Sequence, residues 1–490
     1  MVQIPILSII LLFFLLGAIL PWISRNNKAG RYLSIFFSIM ALAASLYAYT
    51  IFEFGGGFQL VEKAEWIPAL GITYHLAVDG LSLPLVILTS ILALASCIYG
   101  TDEPGRDYQF YGLLMLTCLG TAGVFMALDL FLFFVFWEIV LIPMYFLIAI
   151  FGGPRKTYAS YKFIVYTHVG SVIMILAFFV LHYLYLEQFG VHTFGFIDFQ
   201  KLTVEPGLAT VLFAALVFGF MVKMPVVPFH TWLPAAHVEA PTSGSVLLAG
   251  ILLKMGGYGL LRIPLSFFPD ITQTYAVPLA LIAIFSIFYG AFAAMAQRDY
   301  KSLIALSSVS HMGYVLLGAA ALTPIALTGA AFQMFAHGTV SPLLFMMAGS
   351  LHHKAGTRII PDLGGVAHKM PMWAVFMTAA SLAGLALPFT SSFVAEFTVL
   401  IGSLQAFNVL ALFVFPAAIV TAGYFLYALR KAVFGPLNTN LHIHGDLHTH
   451  EFVAMFILLA ATILLGVYPK LITDMIDIYT VNFVHLIGGV

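Results

Sequence analysis

Fourteen apolar stretches, most of them at least as long as the ~20 residues a helix needs to cross a bilayer, run through this chain. They lie near 4–23, 31–53, 79–100, 108–128, 130–151, 158–186, 208–226, 242–263, 275–297, 302–321, 325–350, 371–402, 407–434 and 452–470. Lipid offers no hydrogen bonds to a backbone, so such segments can only be helices that satisfy their own N–H and C=O groups. Composition agrees: 62% of residues are hydrophobic and 8% charged, against about 25% charged in a soluble domain. The fold class is therefore an all-α integral membrane protein with about 14 transmembrane helices. The first stretch, Ile4 to Ile23, lacks a basic leader and reads as a spanning helix rather than a cleaved signal. Residues 55–78 are too polar to span and alternate enough for a hairpin on the membrane surface.

Two spans are interrupted. In the seventh, KMPVVPFHTWLPAAH places Pro225 and Pro228 where no continuous helix survives, because proline lacks the N–H and clashes with the preceding turn. In the twelfth, ALPFTSSF sets Pro388 and a Thr-Ser-Ser run in mid-span. Non-helical backbone at that depth is tolerated only inside protein or against water. Breaks five spans apart point to two inverted five-helix repeats, helices 4–8 and 9–13, with an ion site at each break. The expected organisation is 1–107 (three helices and the hairpin), 108–263 (first repeat), 275–434 (second repeat) and 435–490 (loop, helix 14 and a short tail).

Basic residues give the orientation. Fourteen, among them Arg25, Arg106, Arg155, Lys162, Lys301 and Arg358, follow odd-numbered spans. Only Lys63, Lys201, Arg262 and Lys470 follow even-numbered ones. By the positive-inside rule both termini lie outside. Two basic residues fall in no loop: Lys223 and Lys254.

Those two lysines, with Glu138 and Glu396, are charges inside hydrocarbon. Such groups are costly there, and they pair with something or move an ion. Glu138 is the candidate partner of Lys223. Unit charges about 4 Å apart at an effective dielectric near 20 interact by roughly 4 kcal/mol, about a thousandfold in proton affinity. Making or breaking that pair would switch the lysine between holding and releasing a proton; the plainer alternative is a static ion pair. Lys254 sits in mid-span, too deep to snorkel easily, among Gly250, Gly256, Gly257 and Gly259. Glu396, beyond the Pro388 break, reads as the terminal exchange group, or else as an uncharged packing carboxyl. His230, His237, His311 and His337 are possible relays through their two ring nitrogens, or simply hydrogen-bonded packing residues; His230 and His237, seven apart, share a face if that segment is helical. Glu239 is assigned no role. The run NLHIHGDLHTH (His442, His444, His448, His450) has metal-binding composition but reads as a solvated loop. Cys97 and Cys118 form no metal or haem spacing, and neither a GxGxxG nor a P-loop is present, so no cofactor or metal site is read on this chain.

The block KMPVVPFHTWLPAAHVEAPTSGSVLLAGILLKMGGYGLLR, with AVDGLSLPLVILT before it and YKSLIALSSVSHMGYVLLG after it, resembles the antiporter-like membrane subunits of respiratory complex I and their Mrp antiporter relatives. Glutamate at the helix 12 position, where related types usually carry lysine, resembles the M type, found also in complex I-like enzymes such as F420H2 dehydrogenase. Phe389 departs from relatives that carry glycine after the proline. The resemblance implies a proton-translocating subunit of a complex I-like NADH (or F420H2 or ferredoxin):quinone oxidoreductase. Glu138 and Lys223 would be the coupling pair, Lys254 the central carrier and Glu396 the exit. Fe–S clusters, flavin and quinone would belong to partner subunits, sister antiporter-like subunits would lie on either side, and no nucleic acid is involved. The expected location is a prokaryotic plasma membrane, which a chain without a transit peptide suits. The alternatives are an Mrp-type cation/proton antiporter subunit, or a scaffold whose charges only lock helices.

Overall fold

The computed structural model describes residues 4–100 and 105–486. The chain runs α1 (Ile6–Ser24), α2 (Asn27–Thr50), the hairpin β1 (Gln59–Ile67) and β2 (Ile72–Val78), α3 (Ser82–Tyr99), α4 (Asp107–Met126), α5 (Leu130–Phe151) and α6 (Lys156–Phe189). After the single turn α7 (Phe196–Phe199) come α8 (Pro206–Lys223), α9 (Trp232–Glu239) and α10 (Thr242–Phe267). The second half holds α11 (Ala276–Met295), α12 (Tyr300–Ala321), α13 (Pro324–Ala355), α14 (Pro371–Gly384), α15 (Ser391–Phe407), α16 (Val409–Val433), α17 (Thr449–Val467) and α18 (Lys470–Leu486). Thirteen of these are long and apolar enough to cross a bilayer. The expected twelfth span is the short apolar pair α14 and α15.

Helix starts follow ordinary capping chemistry, in which a side-chain oxygen takes up orphan backbone N–H groups. Asn26 caps α2, Asp129 caps α5, Glu205 caps α8 and Thr323 caps α13. The hairpin pairs antiparallel, with Ala64 opposite Tyr74. It is tied to the bundle by Asp129, whose Oδ2 accepts from Thr73 N at 2.8 Å, and by Glu62, which accepts from Leu7 N at 2.7 Å. At the centre stand α10, α12 and α13, whose apolar windows are entirely buried. Lys254, His311 and His337, carried on these helices, therefore face protein and not lipid.

Both expected breaks are present. The chain leaves helix after Lys223 and re-enters it at Trp232. Pro234 lies in the first turn of α9, where the missing N–H is an orphan anyway. The second break separates Gly384 from Ser391. There Ala386 (φ 59) and Phe389 (φ 73) take left-handed backbone, a conformation costing roughly 1–2 kcal/mol without glycine. Phe389 thus holds a backbone conformation that glycine would adopt without strain. The C-terminal end of α9 is held by three cations. Arg358 donates to Val238 O at 3.2 Å, Lys301 Nζ to Ala240 O at 2.8 Å, and Arg155 pairs with Glu239 at 3.3 Å. Positive groups at the negative end of a helix satisfy its last carbonyls and its dipole.

Three sequence expectations change. Arg262 and Lys301, counted as loop residues, are buried within α10 and α12, and Lys162 lies in α6, so the charge tally counts helix ends as well as loops. His230 falls in the turn before α9, not on a helical face with His237. The short tail carries the amphipathic helix α18, which packs Ile472, Met475 and Ile476 inward and accepts a 2.6 Å hydrogen bond at Asp477 from Thr328. Arg262 makes a buried ion pair with Asp79 at 2.6 Å, and its guanidinium lies 4.9 Å from the Tyr479 ring of α18. Removing one partner of such a pair leaves a bare buried charge, a loss of about 3–5 kcal/mol. Arg262→Met should therefore lower the thermal midpoint of the solubilised protein by many degrees, while the double variant Asp79→Leu/Arg262→Met recovers part of the loss. Equal midpoints for the single variant and the parent would contradict this role.

Candidate functional site

Lys254 is fully buried in α10. Five residues earlier, Leu248–Leu252 form a π-helical turn, a feature that disrupts the ordinary i−4 bonding pattern and is frequent at functional sites. There Ala249 O accepts from Lys254 Nζ at 2.5 Å. On the other side Nζ lies 2.6 Å from Nδ1 of His337 on α13. Close helix approach makes that contact possible. A Cβ on Gly338 would lie 3.0 Å from Gly250 O, and one on Gly256 only 2.6 Å from Met224 N of the α8 end. The glycines around Lys254 thus admit neighbouring helices.

From His337 the polar groups continue. Its ring lies 5.6 Å, centre to centre, from that of His311 on α12. His311 Nδ1 is 2.8 Å from Glu396 Oε1 on α15, and Gln333 Nε2 donates to the same oxygen at 3.3 Å. Between the two imidazoles and Gln333 lies a cavity of about 10 Å³, lined also by Ser307, Ser341 and Ser392. That is near the lower bound for one water. Lys254, His337, His311 and Glu396 therefore form a contiguous buried series from α10 to the second break. Each member can give or take a proton, and neutral imidazole can do both.

The first half is arranged differently. Glu138 on α5 does not touch Lys223. Its Oε2 meets Nδ1 of His168 on α6 at 3.1 Å, while its Oε1 has no hydrogen-bond partner among the described residues. Lys223 Nζ is buried without a hydrogen-bond partner among the described residues and lies 5.2 Å from the ring centre of Trp137. The expected direct pair is thus replaced by Glu138–His168, with Lys223 set apart. His168 is the residue the sequence reading missed. As a histidine inside an apolar span (YKFIVYTHVG) it carried the same signal as the four singled out. Gln333 was also missed, since an amide carries no charge to mark it. Of those four, His311 and His337 join the series. His237 stacks on Phe345 with neither ring nitrogen hydrogen-bonded, and His230 packs edge-on to Tyr289. Among the described residues no cluster of three or more His, Cys, Asp or Glu has the arrangement to hold a metal.

The sequence profile of the family described as NADH:quinone oxidoreductase/Mrp antiporter, TM, matches residues 127–421. This chain belongs to that family. A relative, the F(420)H(2) dehydrogenase subunit M of Methanosarcina mazei, is 39% identical over 497 residues, covering 99% of both chains. NADH-quinone oxidoreductase subunit M of Rickettsia prowazekii is 36% identical, covering 98% of this chain and 99% of its own. Among solved structures, a chain of respiratory complex I from Thermus thermophilus with bound NADH superposes with a TM-score of 0.89 at 28% identity, over 99% of this chain and 100% of that one. A chain of the Mrp complex from Dietzia sp. shares the fold, with a TM-score of 0.87 at 21% identity over 99% of each. In this chain that fold holds the series from Lys254 to Glu396.

Packing at Gly256 gives a direct check of the geometry. Gly256→Leu forces α10 off the end of α8, and overpacking of this kind costs about 1–3 kcal/mol or more. The expected result is a lower thermal midpoint in detergent, with Gly257→Ala, whose added Cβ would meet side chains (Met334 at 2.7 Å and Val315 Cγ1 at 3.3 Å) rather than backbone, clearly milder. Equal effects of the two would refute the close approach.

Proposed function

We propose that this chain is the proton-translocating membrane subunit of a complex I-like oxidoreductase, with no redox centre of its own. The observation that carries the reading is the buried series Lys254–His337–His311–Glu396, in which adjacent groups lie within hydrogen-bond reach or about one water apart. The relatives named F(420)H(2) dehydrogenase subunit M and NADH-quinone oxidoreductase subunit M, each matched over nearly its whole length, support the oxidoreductase setting over the Mrp alternative. Electron transfer on partner subunits would supply the energy, and Fe–S, flavin and quinone would sit there.

Glu138 and Lys223 act in this reading as the responsive end. Glu138 and His168 are partly exposed on a face whose other side chains, such as Ile142 and Val172, are apolar. An ionisable pair does not belong against lipid, so a neighbouring subunit is the fitting cover. A signal there that draws Glu138 and Lys223 together strengthens the lysine's hold on its proton; separating them releases it toward Lys254. The two breaks, each the fourth member of a set of five, fit inverted repeats meeting at this axis. Both termini would lie outside a prokaryotic plasma membrane.

Two substitutions test the reading. Lys254→Met keeps the volume and removes the carrier; in vesicles holding the assembled complex it should lower proton pumping about tenfold or more, the loss of a required step. Glu138→Ala should do likewise without blocking assembly. Assembled Lys254→Met enzyme that pumps at the parent rate would show the charges to be scaffold only.

A further inference from the structure

The histidine-rich run at 442–450 is pinned to the bundle. Lys369 Nζ donates to Leu441 O at 2.9 Å, and His444 N to Lys354 O at 3.2 Å. Asp446 accepts from Met372 N and Trp373 N at the start of α14, at 2.7 and 3.1 Å. Glu451 accepts from His448 N at 2.7 Å as α17 begins. The pinning gathers His444, His448 and His450 with His353, Lys354 and Glu451 around a cavity of about 310 Å³ whose wall includes Tyr99 at the end of α3. His444 and His448 are exposed, whereas Tyr99 and Lys354 are buried, so the cavity reaches from the surface into the core.

Below it polar groups continue inward. Tyr99 Oη donates to Met346 O of α13, and Ser243 Oγ to Gly100 O at 2.7 Å. Ser96 Oγ and Ser350 Oγ are buried without hydrogen-bond partners among the described residues, and the Gly349 backbone abuts the Thr242 side chain. Ser245 Oγ donates to His237 O, and both ring nitrogens of His237 are unpartnered. Orphan buried hydroxyls and imidazoles cost about 1–3 kcal/mol each; these lie on the elements beneath the cavity, with His237 within electrostatic reach of Lys254, and such groups are what a water-assisted proton path uses. Arg31 of α2 lies within electrostatic reach of His450.

We propose that this histidine-lined cavity is a proton-collecting vestibule that supplies His237 and then Lys254, an inference that rests on the proton-carrying reading above. Rates give the need for it. A single group capturing protons at ~10¹⁰ M⁻¹s⁻¹ refills on the order of 10² times per second at about pH 8, within the range of ordinary enzyme turnover. Imidazoles give and take protons through their two ring nitrogens, so three of them from this run, around one cavity, widen the capture area and pass protons toward the path.

The test uses vesicles containing the assembled complex. In the His444→Gln/His448→Gln/His450→Gln variant, coupled turnover should match the parent at about pH 6 and fall roughly threefold or more at about pH 8.5, on the far side of the imidazole range. Protons pumped per electron should stay unchanged, and tens of millimolar free imidazole should restore the alkaline rate. An alkaline limb like the parent's, or a deficit that mobile buffer leaves untouched, overturns the vestibule. His448→Gln alone, at an exposed position, should show part of the same deficit, and none would likewise overturn it. Lys254→Met run in parallel separates the two levels. If it fails to pump while the histidine variant is silent, only the vestibule falls; if it pumps normally, the proton-carrying reading falls with it.

Discussion

An ammonium group in the middle of a membrane protein must be held by its neighbours, and in this chain the burial of Lys254 organises everything around it. Lipid cannot solvate it, so two polar atoms take the place of water: Ala249 O beside the π-helical turn, and Nδ1 of His337. Each requirement reaches outward. The first puts irregular backbone in a helix that is otherwise continuous. The second brings α10 and α13 close enough that Gly250 and Gly338 nearly touch. His337 in turn leads through His311 to Glu396 and the second helix break. One costly charge thereby accounts for a string of groups that packing alone would not select.

The two halves of the molecule hold their charges differently. In the second half the series is closed by hydrogen bonds and a cavity of single-water size. In the first, Glu138 is engaged by His168, and Lys223, without a hydrogen-bond partner among the described residues, lies within electrostatic reach of Glu138 and by the face of Trp137, a ring contact worth about 2 kcal/mol when desolvated. A buried cation held that weakly is poised to change partner. The α9 fragment behind it is fixed instead, its final turn clasped by Arg155, Lys301 and Arg358. Motion is thus best accommodated at the Lys223 side of the break.

Much of this was legible in the sequence, because the rules involved are local. Apolar length marks spans, Pro225, Pro228 and Pro388 mark breaks, and a charge amid hydrocarbon marks itself. What escaped was relational. Nothing local says that Glu138 faces His168 rather than Lys223, since that depends on how α5 and α6 rotate against α8. Arg262 read as a loop cation because its partner Asp79 lies far back along the chain. The helix α18 was overlooked because an amphipathic segment lying against the bundle lacks the long apolar run of a span. The His442–His450 run read as solvated because only the tertiary fold brings His353 and Tyr99 beneath it.

The most direct test is the ratio of protons translocated to electrons transferred, measured in sealed vesicles for His337→Phe, which interrupts the buried series at its middle without adding charge. The account requires that ratio to fall by the share this subunit carries, in enzyme that assembles normally. A ratio equal to the parent's would show that protons do not pass this way.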